Sequence, residues 1–136
     1  APTSMTRTAI VALLAILALP VAVLCAADLR SPGIAPQALS ERIAGPHPPL
    51  VVGVRAPDEF SAGHVPGAVN IPVPLVKTQL ERLDSAELLV LYCNDSRFTR
   101  VAEQILSRNG IEGFLHLEGG LRAWEQQGLE LEQSIP

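Results

Sequence analysis

The sequence predicts an α/β fold, an open parallel sheet of about five strands with helices on both faces. Three observations lead there. Leu50 to Val54 and Leu88 to Tyr92 are short apolar runs without alternation, the pattern of strands covered on both faces. Apolar residues recur at helical spacing in Val76, Leu80 and Leu83, and again in Val101, Ala102, Ile105 and Leu106. The two patterns alternate through a chain of 136 residues, enough for one domain with an ordinary core.

Ala1 to Ser4 precede Met5 and read as an added remnant, with the native start at Met5. Arg7, the apolar run Ala9 to Leu19, Pro20 and the small residues ending Cys25-Ala26-Ala27 follow in the order of a secretory signal peptide over residues 5–27. The same segment approaches the length that spans a bilayer, so an uncleaved membrane anchor is the competing reading. The short apolar core and Pro20 favour cleavage. Lipid attachment at Cys25 is disfavoured by bulky Leu24 before it. The expected product is an exported, periplasmic domain over residues 28–136, touching membrane only if the leader stays. Cys93 is then the lone cysteine, without a disulfide partner. A lone thiol in an oxidising compartment is either buried or used.

Pro36 to Ile43 reads as a helix with Leu39 and Ile43 on one face, Glu41 and Arg42 outside, and Gly45 able to supply a left-handed cap. Pro46-His47-Pro48-Pro49 forms a stiff loop. After the strand at Leu50 to Val54, Pro57, Asp58 and Glu59 suit a first helical turn; Phe60 faces inward and Gly63 ends the helix. His64 to Gly67 is a turn and Ala68 to Ile71 a strand. Past Pro72 and Pro74 an amphipathic helix carries Lys77, Glu81 and Arg82 outside. Beyond the strand at Leu88 to Tyr92, a helix runs to Asn109-Gly110, Gly113 to Leu117 is a strand, and Gly119-Gly120 opens a last helix with Leu121 and Trp124 inward.

The stretch from Tyr92 to Arg100 places Cys93 between a buried strand and a helix. In a parallel α/β sheet that is the edge where ligands bind, and the helix start aims free N–H groups there. Such a position favours the thiolate. The bland alternative is a small core residue. A net charge of −4 with scattered Lys and Arg gives no basic stripe, which sets nucleic-acid binding aside. His47, His64 and His116 are isolated and lack metal-ligand spacing.

Three stretches together resemble a rhodanese domain. They are Val54-Arg55-Ala56-Pro57-Asp58-Glu59-Phe60 running into Gly63-His64-Val65-Pro66-Gly67-Ala68-Val69-Asn70-Ile71-Pro72, then Tyr92-Cys93 with its loop, then Gly119-Gly120-Leu121-Arg122-Ala123-Trp124 with Gly128. The likeness covers Ile34 to about Leu131, and the pattern sits nearest the small periplasmic members of the phage-shock response. It implies a single-domain, monomeric sulfurtransferase without cofactor or metal. In that family the cysteine takes the outer sulfur of an anionic donor such as thiosulfate, holds it as a persulfide, and passes it to a thiol or cyanide acceptor.

On that resemblance Cys93 is the nucleophile, and Asn94, Asp95, Ser96, Arg97, Phe98 and Thr99 form the substrate loop. Their backbone N–H groups are expected to curl around the sulfur and lower the thiol pKa. Arg97 is expected to orient the donor. Three residues depart from the family: Gly53 where an aspartate is common, Ser96 where a glycine often stands, and Asp95, whose carboxylate should raise the thiol pKa and repel an anion unless it pairs with Arg97. Phosphatases of related fold place an arginine six positions after the cysteine. That position is Thr99 here, Arg100 misses by one, and Tyr92 stands where a histidine is usual, so phosphoryl chemistry is set low. The alternative from another class is a non-catalytic binding or sulfide-sensing module.

Overall fold

The computed structural model describes residues 30–134. The leader or anchor segment and Cys25 lie outside the described residues. A single sheet of five parallel strands has the order β1-β5-β4-β2-β3. The strands are β1 (Gly33–Ile34), β2 (Leu50–Gly53), β3 (Val69–Asn70), β4 (Leu89–Tyr92) and β5 (Leu115–Leu117). The helices are α1 (Pro36–Ile43), α2 (Pro57–Ala62), α3 (Leu80–Asp84), α4 (Ser96–Arg108) and α5 (Gly120–Gln126), with a 3-10 helix over Val73–Thr78.

β4 lies at the centre, and all four of its residues are buried, as its unbroken apolar run predicts. The pleat sends alternate side chains to opposite faces. Val90 and Tyr92 join Val51, Leu39, Phe60, Leu121 and Trp124 in one core, under α1, α2 and α5. Leu89, Leu91 and Cys93 join Val52, Val54, Val76, Leu83, Ala102 and Leu106 in the other, under the 3-10 helix, α3 and α4. Two covered faces confirm the expected architecture.

Four details differ from the sequence reading or complete it. The fifth strand, unplaced from sequence, is Gly33–Ile34, held by His116 N–H to Pro32 O at 3.1 Å and Glu118 N–H to Ile34 O at 3.0 Å. Two residues are too few to show a period. The helix expected from Val76 to Leu83 is split at Gln79 (φ −117°, ψ 16°) into the 3-10 helix and α3, although Val76 and Leu83 are buried as expected. Pro72 and Pro74 bring no backbone donors, and Thr78 Oγ1 donates back to Leu75 O at 2.6 Å, so the tighter turn wins. Gly45 does not take a positive φ; its N–H turns back to Arg42 O at 3.2 Å, and Pro46 follows without an N–H to continue the helix. At the turn before β3 the expectation holds: Gly67 has φ 76° and Ala68 N–H reaches Val65 O at 3.0 Å, with Pro66 beside it, a type II turn.

Gly53 does not leave its strand end loose. Asn70 Nδ2 donates to Gly53 O at 3.0 Å and to Arg55 O at 2.9 Å. A Cβ at Gly53 would lie 3.0 Å from Phe60 Cδ2 and from Tyr92 Cζ and Oη. The tyrosine thus occupies the space a larger residue would need. Its hydroxyl accepts from Val65 N–H at 3.2 Å, and burial pushes its pKa up to about 12, so it stays protonated.

Candidate active site

The end of β4 presents Cys93 at the sheet's C-terminal edge, between β2 and β5. Its backbone is clamped from two sides. Val54 N–H donates to Tyr92 O at 2.9 Å, and Leu121 N–H donates to Cys93 O at 2.8 Å. The second bond requires the start of α5 to pass close beneath the loop, and Gly119 and Gly120 permit it with φ values of 72° and 63°. A Cβ on Gly120 would fall 2.5 Å from Cys93 O and 2.7 Å from Asn94 O. Cys93 is free and 3 % exposed.

Asn94 Nδ2 donates to Glu59 Oε2 at 3.3 Å, tying the loop to α2. Asp95 is extended (φ −131°, ψ −176°) and caps α4, its Oδ1 accepting from Arg97 N–H at 2.9 Å. The Arg97 guanidinium folds onto the same carboxylate, Nη2 to Oδ2 at 3.0 Å, while 86 % exposed. That pairing holds Asp95 below the usual carboxylate range, so the loop carries a charged aspartate next to the cysteine. Ser96 is the first residue of α4. Phe98 is 61 % exposed, whereas Thr99 is buried and Arg100 faces water. The structure brings Cys93, Asn94 and Asp95 together, engages Arg97 with Asp95, and turns Phe98 and Thr99 to opposite environments.

The expected acidic thiol is not found. Burial pushes the Cys93 pKa up, the N–H groups of Asn94 and Asp95 pull it down, the Asp95 charge raises it and the Arg55 charge lowers it; the net direction is up. Two N–H groups at the sulfur do not offset its withdrawal from water. Replacing Asp95 by alanine removes the one charge that raises the thiol pKa, and with it the expected repulsion of an anionic donor. We expect Asp95→Ala to alkylate faster at Cys93 near neutral pH and to raise thiosulfate turnover, while losing about 1 kcal/mol of stability with the helix cap. Unchanged kinetics would refute the repulsion.

Sequence reasoning gave no role in the site to Arg55, Glu59, Gly120 or Leu121. All four lie inside the family-like stretches, but only the fold brings them to the loop. Arg55 Nη1 donates to Gly63 O at 2.6 Å. The histidines stand apart. The His64 ring stacks on Phe60 at 4.1 Å between centroids, with Nδ1 2.9 Å from Phe60 O and Nε2 3.4 Å from Glu132. His116 Nδ1 lies 3.0 Å from Ser31 Oγ and 3.8 Å from Glu103 Oε1.

Known proteins resemble this chain in sequence and fold. A sulfurtransferase of Allochromatium vinosum is 30% identical over 95 residues, 70% of this chain and 89% of that protein. The thiosulfate sulfurtransferase PspE of Escherichia coli K12 is 36% identical over 75 residues, 52% of this chain and 69% of that protein. An uncharacterised Synechocystis protein is 42% identical over 81 residues, 59% of this chain, which spans only 45% of that relative's length. The crystal structure of a thiosulfate sulfurtransferase from Pseudomonas aeruginosa superposes with a TM-score of 0.66 at 31% identity, covering 77% of this chain and 20% of that one. The family model for the rhodanese-like domain matches residues 35–127, a span that takes in the sheet from β2 to β5, the Cys93 loop and the glycine pair beneath it. With five parallel strands in place and a cysteine at the edge of the central one, this chain belongs to the rhodanese-like family, whose matched members include sulfurtransferases.

Proposed function

We propose that the protein moves sulfane sulfur from thiosulfate, or a donor of the same charge and shape, to a thiol or cyanide acceptor through a persulfide on Cys93. The observation that carries this reading is the placement of Cys93 at the C-terminal end of β4, with the Asn94 and Asp95 N–H groups directed at its sulfur. In the first step the Cys93 thiolate attacks the outer sulfur of the donor. A sulfur–sulfur bond forms to Cys93, the donor's own sulfur–sulfur bond breaks, and sulfite leaves with the electron pair. The same two N–H groups then face a persulfide anion. In the second step the acceptor attacks the outer sulfur and Cys93 departs as thiolate, ready for another donor. No base is required if the thiol ionises first. We read the protein as a monomer, exported on the strength of the leader-like segment and held at the membrane only if that segment stays uncleaved.

The test is intact mass after thiosulfate addition, followed by transfer to cyanide. Wild type gains one sulfur and turns over. If neither thiosulfate nor polysulfide adds sulfur, the protein is a binding module, a role that the buried, weakly acidic thiol would also suit.

A further inference from the structure

We propose that Arg55, rather than Arg97, seats the anionic end of the sulfur donor beside Cys93. The inference rests on the sulfur-transfer reading for the identity of the anion, but not for the anion seat itself. Arg55 stands just past the end of β2, on the same sheet edge as Cys93, with Gly53 in register with Tyr92. Its half-buried guanidinium uses Nη1 on Gly63 O, while Nε is buried without any partner. No carboxylate among the described residues pairs with it. A cation withdrawn from water with an orphan donor is unfavourable, and an oxyanion at that edge would supply both the missing charge and the missing acceptor. The Arg55 charge is felt at both Cys93 and Tyr92.

Arg97 has none of these properties. It is 86 % exposed and its charge is met by Asp95 at 3.0 Å, and of this pair only the Asp95 charge is felt at Cys93. The ligand class that follows is a small oxyanion with a sulfonate-like head, bound by the guanidinium fork on the β2 side of the cysteine.

The experiment compares alkylation of Cys93 by anionic iodoacetate and neutral iodoacetamide. The ratio of the two rates reads attraction of an anion to the sulfur and cancels changes in thiolate fraction. In Arg55→Gln we expect that ratio to fall about tenfold, the size expected of one unit charge lost several ångströms away in a partly solvated cleft. Arg55→Lys keeps most of it. The double variant Asp95→Asn/Arg97→Gln, which removes both members of the exposed pair, does not lower the ratio, because of the two only the repelling Asp95 charge reaches the sulfur. The proposal is overturned if Arg55→Gln leaves the ratio unchanged, if the double variant lowers it as much, or if Arg55→Gln and Arg55→Lys fall equally, which would make Arg55 only a brace for Gly63. Sulfur uptake is measured in parallel. Wild type that takes no sulfur, yet shows the Arg55-dependent ratio, would sink the sulfurtransferase reading and leave the anion seat standing.

Discussion

Cys93→Ser should take up no sulfur from thiosulfate, and its transfer to cyanide should fall by at least about a thousandfold, the scale on which loss of a covalent nucleophile acts. In the proposed reaction the donor's outer sulfur is attacked by a thiolate, and a serine hydroxyl remains protonated at any pH the fold tolerates. The replacement is nearly isosteric, and the N–H groups of Asn94 and Asp95 can donate to the new oxygen. The loss of stability should therefore stay near 1 kcal/mol despite the apolar neighbours Leu91 and Ala102. Near-native unfolding with no sulfur gained separates lost chemistry from lost fold. The pH profile gives a second handle. The thiolate is the reactive form, and burial has pushed the thiol pKa up, so the reactive fraction at neutral pH is small and the rate climbs with pH. Half-maximal iodoacetamide labelling of wild type should lie above the value near 8.5 expected of an unperturbed cysteine. Labelling that is half-maximal below that value would contradict the buried, Asp95-shadowed site.

The parts of this fold with a clear apolar pattern were legible from sequence. β2 and β4 stand out as unbroken apolar runs and α4 is long enough to display its helical period, and the place of Cys93 followed from the junction of the β4 run with that period. β1 was not legible as a strand, since two residues have no period and its pairing comes from β5, far along the chain. Proline and threonine chemistry overrode the helical spacing from Val76 to Leu83, a local competition that a count of apolar positions does not weigh. At the site, the sequence supplied the residue types but not their balance. Asp95 was recognised as both a repelling charge and a partner for Arg97, and it is paired. The thiol pKa went the other way from expectation because desolvation depends on the core that Cys93 joins, with Val54, Ile71 and Val76 brought from far along the chain, which no spacing near Cys93 reveals. Gly53 read as a missing anchor only until Tyr92 and Asn70, distant in sequence, were seen to fill its place and tie its strand.

Gly120→Ala should destabilise the protein by about 3 kcal/mol or more, combining left-handed backbone strain with a clash that has no soft side. Gly120 holds φ at 63°, where a side chain is already disfavoured. The added methyl would sit 2.5 Å from Cys93 O and 2.7 Å from Asn94 O, and both are backbone atoms rather than flexible side-chain ends. Cys93 cannot retreat, because it follows directly on β4, the central strand. Relief must come from α5 moving away, which breaks the 2.8 Å bond from Leu121 N–H to Cys93 O and unseats Leu121 and Trp124 from their core. Sulfur transfer should fall at least about tenfold even in the fraction that folds, since misplacement of a reacting group by around an ångström has effects of that order or larger. Gly113→Ala is the control: its φ is 79°, but nothing lies within 4 Å of the new methyl, so strain acts there without a clash and the loss should be about 1 kcal/mol. Denaturant unfolding of the two variants decides the matter. Equal losses would mean that α5 yields freely beneath the cysteine, and that the loop is not held from below; a large excess for Gly120→Ala would identify the contact between α5 and the loop as the support on which the geometry of Cys93 depends.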